Sequence, residues 1–168
     1  HGEDAGKGLG VTEGAVFGLL GLLIAFTFSG SVSRLDDRRA LVAEEANAIS
    51  TSYLRLDLLG PELSAPIRPL YREYLDLRIA QAKAGDDAPW RPGALQDTEA
   101  MQARIWAAVM DALERRGQPP LAVAVLGPLN EMIDITTTRR MAAMMHPPTL
   151  VFVALAVVTL LGSLLAGF

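Results

Sequence analysis

The sequence predicts an all-α integral membrane protein in which two transmembrane helices bracket a cytoplasmic antiparallel helical bundle. Three observations lead there. Residues 14–33 form a run of 20 without an ionisable side chain, and residues 147–168 a second run of 22. Every charged residue except Glu3, Asp4, Lys7 and Glu13 lies between Arg34 and Arg140. No stretch alternates apolar and polar residues between turn pairs as a half-buried strand would. The mean hydropathy of +0.28 with 51% hydrophobic residues therefore comes from the two ends.

Each run matches the roughly 20 residues a helix needs to cross a hydrocarbon core of about 30 Å. Inside lipid the backbone must satisfy its own hydrogen bonds, so both segments are expected to be helical. The first is not read as a secretory signal. It is preceded by acidic Glu3, Asp4 and Glu13 rather than a basic region, and it runs straight into a charged helical stretch. Only Lys7 flanks it on the outer side, whereas Arg34, Arg38 and Arg39 follow it and Arg139 and Arg140 precede the second run. By the positive-inside rule, residues 34–146 are expected to face the cytoplasm and residues 1–13 to form an extracytoplasmic flank; the expected location is the inner (plasma) membrane. The sequence starts at His1 without an initiator Met and stops at Phe168 inside an apolar run, which raises the expectation of further spans, as in a four-span protein.

Residues 34–59 continue the first span without Gly or Pro. Leu35, Val42, Ile49 and Leu56 recur every seven positions, with Ala46 and Tyr53 at alternate ones, which predicts an apolar helix seam ending at Gly60 and Pro61. A second helix is expected over residues 65–84, with Leu70, Tyr74, Leu77 and Ala84 on one face and Gln81 interrupting it. Residues 85–93 read as a loop. A third helix, residues 98–116, aligns Met101, Ile105, Ala108 and Ala112 and stops at Gly117 and Pro119. A fourth, residues 121–145, carries Leu126, Leu129, Ile133 and Met144, with Pro128 as a kink or boundary.

Composition narrows the function. The absence of cysteine removes disulfide scaffolds, cysteine-based zinc sites and thiol catalysis. A net charge of −4 argues against nucleic-acid binding. No Ser/His/Asp arrangement, phosphate-binding loop, GxGxxG or HExxH occurs, and His1 and His146 are the only histidines. An enzyme is not expected, nor a cofactor. Trp90 and Trp106 stand too far apart for a stacking platform, and Met141, Met144 and Met145 read as interface packing.

Three constellations remain. Gly14, Gly18, Gly21, Ala25, Ser29 and Ser33 put a stripe of small residues on one helix face, suited to close packing in lipid, whether within the chain or between copies. Arg34, Arg38, Arg39, Arg139 and Arg140 suit anchoring at anionic lipid headgroups or a cationic rim that gathers anions. Glu44, Glu45 and Asn47 could meet Glu131 and Asp134 across an antiparallel pair. That arrangement would serve either as a weak hard-cation site or as ion pairing with bundle arginines such as Arg38, Arg39 and Arg139.

Residues 21–39 (Gly-Leu-Leu-Ile-Ala-Phe-Thr-Phe-Ser-Gly-Ser-Val-Ser-Arg-Leu-Asp-Asp-Arg-Arg), 42–49 (Val-Ala-Glu-Glu-Ala-Asn-Ala-Ile), 53–59 (Tyr-Leu-Arg-Leu-Asp-Leu-Leu) and 129–134 (Leu-Asn-Glu-Met-Ile-Asp) together resemble the bacterial bestrophin-like integral membrane proteins. The resemblance implies two transmembrane pairs around a cytoplasmic helical region, of which this chain holds two spans. By more distant similarity to bestrophins it implies an oligomeric anion channel, pentameric on that analogy. On that reading Phe17, Phe26, Phe28, Ser29 and Ser33 are pore or constriction candidates, and Arg34 and Arg38 an anion-attracting rim. Two other architectures fit the same spans. One is a non-catalytic accessory subunit docked on a larger membrane complex through the small-residue stripe. The other is a sensor whose bundle, residues 34–146, lies outside the cytoplasm.

Overall fold

The computed structural model describes residues 2–84 and 93–166, and every element in it is helical. Helix α1 runs from Gly2 to Arg55 and passes into a single 3-10 turn, Leu56–Leu59. There follow α2 (Pro61–Ser64), α3 (Arg68–Lys83), α4 (Ala94–Arg116), α5 (Pro119–Met144) and α6 (Thr149–Ala166). The chain divides into two compact units, residues 1–37 with 145–168, and residues 38–144. The expected loop at 85–93 and Trp90 fall largely outside the described residues.

Two stretches, Gly14–Leu59 and Pro119–Leu164, each contain a helical window long and apolar enough to cross a membrane. Within the chain's own packing, 0% of the first window and 11% of the second is buried. A core helix of a water-soluble domain would bury its apolar face against neighbours. These windows instead leave apolar surface for lipid.

The bundle of residues 38–144 is closed by antiparallel pairings that its polar contacts identify. Glu45 meets Arg139, and Arg38 meets Ala143, so α1 and α5 run in opposite directions. Glu45 also meets Arg78, while Ser52 meets Tyr71, which sets α3 against α1. Gln81 meets Thr98 and Glu73 meets Arg104, which sets α4 against α3. The apolar core between them comprises Ile49, Leu56, Leu59, Ile67, Tyr71, Tyr74, Ile105, Val109, Ala112, Leu113, Val125, Leu129 and Met132.

The seam of α1 departs from the expected one. Ile49 and Leu56 are buried as expected, but Leu35, Val42 and Ala46 are exposed and Tyr53 only half-buried. The buried face reads Glu45, Ile49, Ser52, Leu56 and Leu59, with spacings of four, three, four and three. It is a heptad seam whose alternate positions hold a carboxylate and a hydroxyl instead of apolar side chains, which is why an apolar search missed it.

The turns follow local chemistry. Gly60 has φ +85°, in the left-handed region a side chain disfavours, and Pro61 opens α2 at a position where a missing N–H costs nothing. Gly117 closes α4 at φ +64°, its N–H donating to the Leu113 carbonyl at 3.1 Å. Helix α4 begins at Ala94, four residues earlier than expected, where Gly93 accepts from the Asp97 N–H at 2.8 Å. The expected 65–84 helix is instead a tight turn followed by α3, and α5 continues through Pro128. The extracytoplasmic flank expected at 1–13 is helical from Gly2 onward.

Candidate functional site

Polar side chains inside the bundle form one arrangement and the outward face of α1 forms another. In the bundle, Glu45 has a side chain only 5% exposed, and it bridges two guanidinium groups. Arg78 Nε donates to Glu45 Oε1 at 2.6 Å, and Arg139 Nη1 donates to Oε2. Arg78 Nη1 also donates to Gln81 Oε1 at 2.5 Å. Gln81 Nε2 in turn donates to the Ala94 carbonyl at 2.9 Å and to Thr98 Oγ1 at 3.1 Å. The residue that interrupts the apolar face of α3 in sequence thus stitches α3 to the start of α4.

A second link joins Gln102 Nε2 to Tyr74 Oη and to Thr136 Oγ1, each at 3.3 Å, and so ties α4 to α3 and α5. The hydroxyls of Ser52 and Tyr71 share a hydrogen bond at 2.6 Å. Burying a charge without a partner costs several kcal/mol, so a carboxylate placed on the core seam requires the arginines around it. Burial pushes the Arg78 and Arg139 guanidinium groups below their ordinary values. It also pushes the Tyr71 phenol up to about 12, against a weaker lowering by its bond to Ser52. Tyr74 moves in the same direction for the same reason. Tyr53 moves the other way: hydrogen bonding to Arg68, whose guanidinium lies 4.7 Å from the ring centroid, holds its phenol below the ordinary value.

The acidic residues read from the sequence separate here. Glu45 is buried in its ion pairs, while Glu44, Asn47, Glu131 and Asp134 are all exposed. Among the described residues no group of three His, Asp or Glu side chains is placed to hold a metal ion. Sequence reasoning proposed Arg139 as a partner for this acidic group but missed Arg78, Gln102 and Ser52, and read Tyr74 only as part of a helix face. The detectable signal was polar side chains recurring at seven-residue spacing, at positions 38, 45 and 52.

On α1 before the bundle, the half-buried residues are Val16, Leu20, Leu23, Thr27, Gly30 and Arg34. They recur at spacings of four, three, four, three and four, so they share one face. A Cβ at Gly162 of α6 would lie 3.5 Å from Phe17 Cε1 and 3.7 Å from Val16 Cγ1, which places α6 on that side. The small-residue stripe lies elsewhere. At about 100° per residue, Gly14, Gly18, Gly21 and Ala25 cluster roughly opposite that seam. A Cβ added at Gly14, Gly18 or Gly21 meets nothing within 4 Å. Among the described residues, nothing packs against these three glycines.

Its hydroxyls differ too. Thr27, Ser31, Thr159 and Ser163 each donate back to the carbonyl four residues earlier, at 2.7–2.9 Å. Ser29 and Ser33, the last members of the stripe, make no side-chain hydrogen bond among the described residues. Arg34 folds back along the helix, donating from Nη2 to Ser31 Oγ at 3.0 Å. Its Nη1 lies 3.3 Å from where a Cβ on Gly30 would sit, so the glycine makes room for it. The phenylalanines are exposed, but they do not share a face. Phe17 and Phe28 are eleven residues apart, close to three full turns, whereas Phe26 lies about 160° around from Phe28.

The other arginines are placed individually. Arg38 donates from Nη2 to the Ala143 carbonyl at 3.1 Å, Arg139 is paired with Glu45, Arg39 is exposed, and Arg140 is half-buried. His146, Met141, Met144 and Met145 are exposed, and Trp106 packs half-buried against the core.

Residues 10–168 match the family model of the bestrophin-like domain, nearly the whole sequence. The chain belongs to the bestrophin-like family. No curated protein and no solved structure matches it. The match covers both apolar stretches and the bundle between them, so the buried ion pairs and the open stripe belong to the bestrophin-like domain itself.

Proposed function

We propose that this bestrophin-like chain is the subunit of a homo-oligomeric anion channel in the inner membrane, with its bundle in the cytoplasm. One observation carries the reading: the glycine stripe of α1 faces away from α6 and ends in two hydroxyls that make no side-chain bond among the described residues. Small residues let helix backbones approach closely, and between copies such a face buries what lipid would otherwise cover. Hydroxyls left uncommitted in hydrocarbon are costly, and they are satisfied by a neighbouring copy or by water and ions along a shared pathway. Arg34, one helical turn beyond Gly30 and held by Ser31, supplies a positive charge at the inner end of the span. A cation ring around a narrow aqueous path favours anions. Membership of the bestrophin-like family supports the same reading as an analogy of fold.

The test is native mass spectrometry of the gently solubilised full-length protein followed by planar-bilayer recording. A closed assembly of several identical copies is expected, and Gly18→Leu is expected to dissociate it while leaving helical content unchanged. The wild-type current is expected to reverse at an anion-selective potential, and Arg34→Ala to lower that selectivity. A single copy bound to other polypeptides would make the chain an accessory subunit, and an oligomer without anion current would remove the channel.

A further inference from the structure

The charge balance at one end of the bundle points to a ligand. Arg78 and Arg139 share a single carboxylate, Glu45, so that cluster already carries more positive than negative charge. On the next position of α5, Arg140 is half-buried with its Nε atom enclosed. Among the described residues its guanidinium has no hydrogen-bond or ion-pair partner. A partly desolvated cation with no counter-charge is unfavourable.

The carbonyl end of a helix is itself negative and would ordinarily repel an anion. Here Arg38 offsets it by donating to the Ala143 carbonyl in the last turn of α5. Ala143 and Arg140 are three residues apart, so Arg38 meets the same closing turns of α5 that carry Arg140. A guanidinium with no counter-charge suits an anion with several acceptor oxygens, and Arg38 adds a second positive charge at the same turns. Along the chain, Arg38 follows Ser33 by five residues of continuous helix, a rise of about 8 Å, and Arg140 precedes Pro147 by seven. Both therefore lie close in sequence to the expected span ends, where phosphate groups of lipids are found.

We propose that the last turn of α5 binds a phosphate oxyanion through Arg140, with Arg38 beside it. The phosphate comes from an anionic lipid headgroup or from free inorganic phosphate. The site is independent of the channel reading, since it requires neither an oligomer nor a current.

The test uses the full-length protein, purified and stripped of lipid, with thermal unfolding followed during titration with phosphatidylglycerol, phosphatidylcholine or inorganic phosphate. Arg140→Gln is expected to weaken the stabilising ligand's apparent affinity by about tenfold. Arg104→Gln, on an exposed pair with Glu73, is expected to leave it unchanged. Loss of phosphatidylglycerol protection alone assigns the lipid source; loss of inorganic phosphate protection assigns the free ion. If Arg140→Gln does not fold, Arg140→Lys keeps the charge without the fork and is expected to weaken binding by a smaller factor. Equal responses of the Arg140 variant and wild type to every ligand would overturn the proposal.

Discussion

Glu44 and Glu45 are adjacent and chemically identical, yet α1 turns one to solvent and the other into the bundle. Removing a partner from a buried ion cluster leaves uncompensated charge, which costs about 3–5 kcal/mol, whereas exposed substitutions fall within about 0.5 kcal/mol. Glu45→Ala is therefore expected to destabilise the bundle by about 3–5 kcal/mol and Glu44→Ala to change it little. Denaturant titration of both variants checks this, and equal effects would mean that Arg78 and Arg139 do not depend on Glu45. The three tyrosines offer a second measurement at this scale. Burial keeps Tyr71 and Tyr74 protonated in the fold, so the native state holds protons that the unfolded chain releases near pH 10. Their contribution to stability is complete below pH 10 and is lost as pH rises from about 10 toward the Tyr71 value of about 12. Tyr53, stabilised as phenolate by Arg68, titrates below its ordinary value. Absorbance titration at 295 nm is expected to show one early ionisation and two late ones. Three simultaneous ionisations at ordinary pH would contradict the packing of α3.

Helices bounded by glycine and proline were legible because the turn chemistry is local. Gly60–Pro61 and Gly117 stop helices where the sequence places the stops. The register of α1 was only half legible. Ile49 and Leu56 carried the heptad, but its other positions are filled by Glu45 and Ser52, whose partners Arg78, Arg139 and Tyr71 lie 19 to 94 residues away in sequence. A pattern search weighs hydrophobicity along one helix and has no means of knowing that a carboxylate is neutralised from two others. The same limit applies to the stripe. Its existence follows from spacing alone, but its direction depends on α6 choosing Val16 and Phe17 as neighbours, a tertiary choice. The constriction candidates show the converse: helix geometry alone separates Phe26 from Phe17 and Phe28, and that separation could have been read from spacing.

At the scale of the molecule, the distribution of charge divides the chain into two apolar stretches and one charged bundle, and the two compact units follow that division. Which side of the membrane receives the bundle depends on Lys7 against five arginines, and that rule weakens for a loop longer than about 60 residues. The chain contains no cysteine, so a single introduced thiol reports on one position without interference. Glu114, exposed on α4 and remote in sequence from both spans, is a suitable site. Glu114→Cys in intact cells is expected to resist a membrane-impermeant maleimide and to react fully once the membrane is permeabilised. Labelling in intact cells would place the bundle outside the cytoplasm. It would then favour a sensor, in which the polar network of Glu45, Gln81 and Gln102 holds a ligand-responsive domain together, and it would turn Arg34 toward the outer leaflet, where a cation ring no longer marks a cytoplasmic pore mouth.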